Sequence, residues 1–467
     1  MQTDMQQYSP FSIPLRDLAA ADLPALKQTA EGWYIEYKRE TPNASAIAKS
    51  ISAFANTYGG WLFIGVDEVS KEIPVAGSFP GIAQDEADAT LQKIRKAAVD
   101  HLNPTPHFDT KIIYGPNQEL GLAADRVVIC VWTPQSTLAP HVHKSGSIYR
   151  RVSDASEPKA ENDRFILDQL WRRGDEMKRR HKDWYEMDPE FSKRESELPY
   201  IRLMLIADPW AQRDIWIDAE ENEIREALGG NLGSATIHFD SVYTYSNGYI
   251  GRQLAGNNPH NLTLTWRLRH SLISDVLIPL PLYDVDDVEH LSIELDGYKH
   301  VEQFTNLLRK HGASSPRVVD LNYVLNVLIG VAETQERLCN LARWNENYFF
   351  KVKLLNSWRT IPYIDAPQVL DRLEINGLSM CLDKTSSVPH GLSPDSYIQI
   401  TRRPDIQERA TRNLIEGAAM FGALARAYGL PMWLPDDEKG MPYHDALWNA
   451  GRRGLEAQRL RNLREKR

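Results

Sequence analysis

ISAFANTYGGWLFIGVDE, residues Ile51 to Glu68, joins a helix, a two-glycine break and a buried strand that delivers a carboxylate. Ile47, Ile51, Phe54, Ala55 and Tyr58 recur at helical spacing, and Asn43 or Ser45 can cap the start. Gly59-Gly60 supply the backbone freedom that ends a helix. Trp61, Leu62, Phe63, Ile64 and Val66 then form an apolar run too short for a globular helix, which fits a strand covered on both faces. Asp67 and Glu68 stand where that strand emerges. From these residues alone the acidic pair reads first as ordinary loop.

The preceding stretch, Trp33 to Lys38, alternates like a strand and sets Glu36 and Lys38 on one face. Glu31 lies close enough in sequence to converge with Glu36 from a loop. With Asp67 from the neighbouring strand, that makes three carboxylates and a lysine.

At this point the chain resembles the Schlafen-type AlbA domain family, found in many bacterial proteins and in the animal Schlafens. Three blocks carry the resemblance: Glu31 through Lys38, with its E-x-K; SAFANTYGGWLFIGVDE; and Ser147-Ile148-Tyr149-Arg150-Arg151-Val152-Ser153 followed by Glu157-Pro158. The resemblance implies a mixed-sheet α/β domain over about residues 15–160 that binds nucleic acid. From nuclease-active members it carries Glu31, Glu36 and Asp67 as catalytic and metal-binding positions. That implies a metal-dependent endoribonuclease acting on tRNA or other structured RNA, in stress response or phage defence.

Carboxylates beside a lysine suit such chemistry, because oxygen ligands hold Mg²⁺ or Mn²⁺ and the ion can activate a water. Lys38 could then orient the scissile phosphate. The alternative is structural: Glu36 and Lys38 form a same-face pair worth about 0.2–1 kcal/mol if exposed, and Asp67 caps a turn.

Phosphate contacts are expected from Lys38, Lys144, Arg150, Arg151 and Lys159, since an arginine fork matches phosphate oxygens bidentately. Arg151 reads equally as the partner of Asp154 or Glu157. From Lys144 to Lys182, 11 basic residues face seven acidic ones, against a net charge of −9 for the whole chain. The second basic run, Arg452 to Arg467, reads first as a solvated end. His141 and His143 read as loop-edge residues rather than metal ligands, as no cysteine stands nearby.

The 467 residues, 42% hydrophobic and 25% charged, fit a soluble globular chain of more than one domain. The pattern divides it into an AlbA-like domain at 1–160, a charged connecting helix at 161–195, a mixed α+β domain without a recognised family at 196–440, and a basic tail at 441–467. Three cysteines without CxxC spacing and no signal region point to a reducing, cytoplasmic setting, and no apolar run spans a bilayer.

Two other functions fit parts of the pattern. A non-catalytic DNA-binding transcriptional regulator is the main alternative, although no helix-turn-helix is legible. ATP binding is weaker, because there is no GxxxxGK[ST] and Gly59-Gly60 precede a strand rather than open a helix. Animal Schlafens carry two such lobes in tandem and this chain shows one signature, so a homodimer is expected to supply the second.

Overall fold

In the computed structural model the chain forms two units, Met1–Trp184 and Tyr185–Arg467. The structure describes all residues except 1–7, 12, 14, 153–156, 210–214, 216, 230–236, 404–405, 432–433, 436–441 and 466–467, with the backbone alone described at 460–465. Ser153, Asp154, Lys466 and Arg467, and the side chains of Arg461 and Arg464, therefore lie outside the described residues.

The first unit runs β1 (Ile35–Lys38), α1 (Ala44–Asn56), β2 (Gly60–Ile64), β3 (Asp67–Glu68), β4 (Ala76–Ser78), β5 (Ile82–Ala83) and α2 (Ala87–His101). It continues through β6 (Leu102–Asn103), β7 (Asp109–Tyr114), β8 (Arg126–Thr133), β9 (Val142–His143), β10 (Tyr149–Arg150) and β11 (Lys159–Ala160) into α3 (Arg164–Glu186). The main sheet is ordered β1-β2-β8-β5, with β7 also paired to β8. It is mixed: β1 and β2 are parallel, whereas β8 runs antiparallel to β2, β5 and β7.

The opening stretch folds as its pattern demands. The Asn43 side chain accepts the Ala46 N–H at 2.9 Å and so caps α1. Gly59 takes the left-handed φ of +77°. A Cβ on Gly60 would stand 2.3 Å from Cδ1 of Phe54, so only glycine lets the strand pass the helix this closely. Every residue of β2 is buried. Trp61 and Phe63 pack with Tyr37, Leu26 and Cys130 on one face, while Leu62 and Ile64 pack on the other against Ile47, Ile51 and Phe54 of α1 and Ile94 of α2.

The second unit runs β12 (Tyr200–Ile206), α4 (Glu221–Gly229), β13 (Ser241–Tyr245), β14 (Gly248–Arg252), β15 (Thr265–Arg269), β16 (Ile273–Pro279), β17 (Leu282–Asp284), α5 (Val288–Glu294) and α6 (Val301–Lys310). Then come β18 (Arg317–Asp320), α7 (Val324–Leu341), β19 (Tyr348–Leu355), β20 (Ile361–Tyr363), α8 (Pro367–Asn376), β21 (Thr385–Val388), β22 (Ile398–Ile400), α9 (Arg409–Ala427) and α10 (Tyr443–Glu465). Its large sheet is ordered β13-β14-β15-β16-β12-β19-β21, with β22 also on β19, and β17-β18-β20 form a smaller one. Both units mix helices and sheets, so the fold class is α+β.

The run expected as a basic tail holds helix α10, which buries Tyr443, Ala446, Leu447, Ala450 and Ala457. Among the described residues no helix is long and apolar enough to cross a membrane. All three cysteines are free and buried.

Candidate functional site

Alternation along β1 turns Ile35 and Tyr37 to one core layer and Glu36 and Lys38 toward α1. Glu36 is only 1% exposed, and a buried carboxylate needs partners for both oxygens. Its Oε1 accepts from Ser50 Oγ at 2.9 Å and pairs with Lys38 Nζ at 3.1 Å. Its Oε2 accepts from the Arg151 guanidinium at 3.0 Å.

Arg151 is 0% exposed. Besides Glu36, its guanidinium donates to the carbonyl oxygens of Gly32 at 2.8 Å and Ile35 at 3.1 Å, and it lies 5.1 Å from the centre of the Phe54 ring. The Arg151 N–H donates to Thr57 Oγ1 at 2.9 Å. The expected phosphate fork is thereby corrected. A carboxylate sunk beneath α1 requires a buried cation, and the arginine donors that phosphate would use are aimed inward. Burial pulls the guanidinium below its ordinary pKa, while Glu36 and Glu31 raise it back. Lys38 is also held: burial would lower its pKa, yet the charge and hydrogen bond of Glu36, and the charge of Glu31, keep it above the ordinary value.

Glu31 stands at the rim of this cluster, its carboxylate accepting the Tyr37 N–H. Burial pushes its pKa from 4.5 to about 7, against the lowering effects of that N–H and of Lys38, while Glu36 and Glu68 raise it. Between those two values the folded chain holds a proton that the unfolded chain releases. The group therefore adds stability at low pH, and that stability is lost as pH rises through about 7. Urea midpoints measured from pH 5 to pH 8 should fall more steeply for the wild type than for Glu31→Gln. Parallel curves would remove Glu31 as a near-neutral group.

Asp67 is elsewhere engaged, pairing with Arg39 at 2.7 Å. Glu36 has both oxygens occupied, Asp67 faces Arg39, and Glu31 caps a backbone amide. Among the described residues no group of three or more His, Cys, Asp or Glu side chains is arranged to hold a metal ion. The expected Mg²⁺ or Mn²⁺ ligand set of Glu31, Glu36 and Asp67 does not fit this arrangement.

The remaining cations lie nearer the surface. Arg150 and the exposed Lys159 are directly opposed across the β10–β11 ladder and share a face, although Arg150 also pairs with Glu161 at 2.6 Å. Lys144 is exposed, its Nζ 2.9 Å from Nε2 of His101. The two histidines expected at a loop edge are instead interior, His141 at 0% and His143 at 3% exposure. Burial drives His141 down to about 4, and its Nδ1 lies 2.6 Å from the Pro104 carbonyl oxygen. Ser50, Arg39, Lys49 and His101 were not singled out from the sequence. Ser50 alone had a local signal, since it falls on the α1 face that also carries Ile47 and Phe54.

Residues 31–160 match the family model described as Schlafen, AlbA_2, which points to a nucleic-acid-related function. The match covers all three sequence blocks and ends before the second unit. Among solved structures, the DIP2311 protein from Corynebacterium diphtheriae is 14% identical over 42% of this chain and 32% of its own length, with a TM-score of 0.18. A likeness that low carries no argument.

Proposed function

We propose that the first unit binds nucleic acid through the phosphate backbone, at the face bearing Arg150, Lys159 and Lys144. The observation that carries this is the Schlafen, AlbA_2 match over residues 31–160. In support, Lys144 and Lys159 are exposed, and Arg150 and Lys159 stand side by side in register. Contacts of this kind position a polynucleotide without reading its sequence.

Binding of tRNA, other RNA and DNA, measured by filter retention at 50 to 200 mM salt, tests the proposal. Affinity should fall linearly on a log–log plot. Lys144→Gln and Lys159→Gln should each weaken binding about equally for every sequence and reduce the slope by about one. Absence of binding to every polymer at the lowest salt sinks the reading. A preference for duplex DNA without cutting would favour the regulator alternative. A homodimer belongs to the same proposal, and a monomeric mass in light scattering at the binding concentration removes it.

Cleavage of structured RNA is the second reading, favoured by one observation. Glu31, with a pKa of about 7 and within electrostatic reach of Lys38, is suited to moving a proton at neutral pH beside a cation that can meet a phosphoryl oxygen. Incubation with tRNA in Mn²⁺ or EDTA, beside Glu31→Gln, decides it. Equal cleavage by the variant would show a contaminating nuclease.

A further inference from the structure

A second polar cluster forms where α1, the end of α2 and the β6–β9 ladder meet. The Lys49 ammonium lies 5.0 Å from the centre of the Tyr149 ring. The His143 ring is edge-on to Tyr149 at 5.6 Å and to His101 at 5.5 Å. Its Nδ1 accepts the Ser145 N–H at 3.1 Å and is 2.9 Å from Ser145 Oγ, and its Nε2 is 3.3 Å from Ser45 Oγ. Lys144 closes the group through its contact with His101 at 2.9 Å.

The cluster gathers four basic side chains without an acidic one in these contacts. Burial lowers the His143 pKa, and every charged neighbour that lowers it further, His101, Lys49 and Lys144, is a base. The Tyr149 phenol is also drawn down: burial raises it, but hydrogen bonds with Ser145, Lys49 and Ser147 and the Lys49 charge outweigh that. Nδ1 of His101 is buried with no hydrogen-bond partner among the described residues. Glu36, by contrast, is matched within the fold by Arg151. Here two ammonium groups, Lys49 and Lys144, gather with imidazole and hydroxyl groups and with no carboxylate in these contacts, which favours an anion.

The donor types narrow the anion's class. Ammonium, imidazole and hydroxyl groups approach from several directions, whereas a planar carboxylate is better served by one arginine fork. A compact tetrahedral anion with several equivalent oxygens uses such a set fully. Ser45 lies in the first turn of α1, where the helix dipole adds to the same preference.

We propose that Lys49, His101, His143 and Lys144, with the hydroxyls of Ser45, Ser145 and Tyr149, form a binding site for a phosphate group. The phosphate chemistry stands on this geometry. Its assignment to a polynucleotide backbone rests on the nucleic-acid reading above.

The test uses the full chain labelled with ¹⁵N, following the His101 and His143 imidazole signals during titration with inorganic phosphate and, separately, with a short single-stranded RNA. Phosphate should move both signals, with His143 shifting toward its protonated form, since an anion favours imidazolium. Lys49→Met/Lys144→Met should weaken phosphate binding about tenfold or more, as two charge-assisted contacts are lost. Imidazoles unmoved by millimolar phosphate, or equal affinity in the double variant, overturn the site. Movement with phosphate but not with RNA that the chain binds supports the site and removes its assignment to the backbone. Movement with phosphate in a chain that binds no polymer supports the site and sinks the nucleic-acid reading alone.

Discussion

Arg151→Met is expected to cost about 3–5 kcal/mol of stability, the usual consequence of removing one partner from a buried ion pair. Glu36, at 1% exposure, would keep Ser50 and Lys38 but lose the cation on Oε2. The carbonyl oxygens of Gly32 and Ile35 would each lose one donor in the same step, Ile35 keeping the Gly32 N–H. Glu36→Gln/Arg151→Met should recover part of the loss, because no uncompensated charge then stays buried. Urea denaturation of the wild type, the single variant and the double variant measures both effects. A phosphate-contacting arginine would behave oppositely, with stability near wild type and weakened nucleic-acid binding. That outcome would return Arg151 to the binding face.

Asp365→Ala should have an effect of similar size in the second unit, about 3–5 kcal/mol. Asp365 is fully buried, and its carboxylate accepts from the N–H groups of Lys299 at 3.0 Å and His300 at 2.8 Å, from the Tyr363 hydroxyl at 3.0 Å, and from Arg453 Nε. Arg453 also donates to the Asp365 carbonyl oxygen at 2.7 Å. The substitution would leave two backbone amides without their acceptor and hold Arg453 by the residue 365 carbonyl alone, and it would loosen α10 from the loops after β20 and before α6. Hydrogen exchange should therefore quicken in α10 ahead of the β12–β19 ladder. Unchanged exchange in α10 at wild-type stability would show that the helix is held by its apolar face alone.

Much of the fold is legible because its causes are local. Gly59-Gly60 between a helical repeat and an apolar run leave one economical arrangement, and α1, β2 and the cap at Asn43 follow it. β12 at Tyr200–Ile206 and β19 at Tyr348–Leu355 occupy the residues their apolar runs indicate. The run after residue 441 was harder to read. Its arginines suggest a solvated end, yet Tyr443, Ala446, Leu447 and Ala450 supply a buried stripe, and Arg453 has a partner 88 residues earlier.

The candidate site divides along the same line. Strand alternation sets Glu36 and Lys38 on one face, and the structure pairs them at 3.1 Å. Which face is buried depends on α1 settling over the sheet, and that burial recruits Arg151 from 115 residues away. The helix, the glycine break, the buried strand and the Schlafen, AlbA_2 blocks within residues 31–160 are written in the sequence, because periodicity and backbone freedom act over a few neighbouring residues. What the charges do follows from tertiary packing. A carboxylate or guanidinium takes its role from desolvation and from partners distant in the chain, so Glu36 and Arg151 lock the fold, Glu31 is left near neutrality, and Lys49, His101, His143 and Lys144 gather with no carboxylate among their contacts.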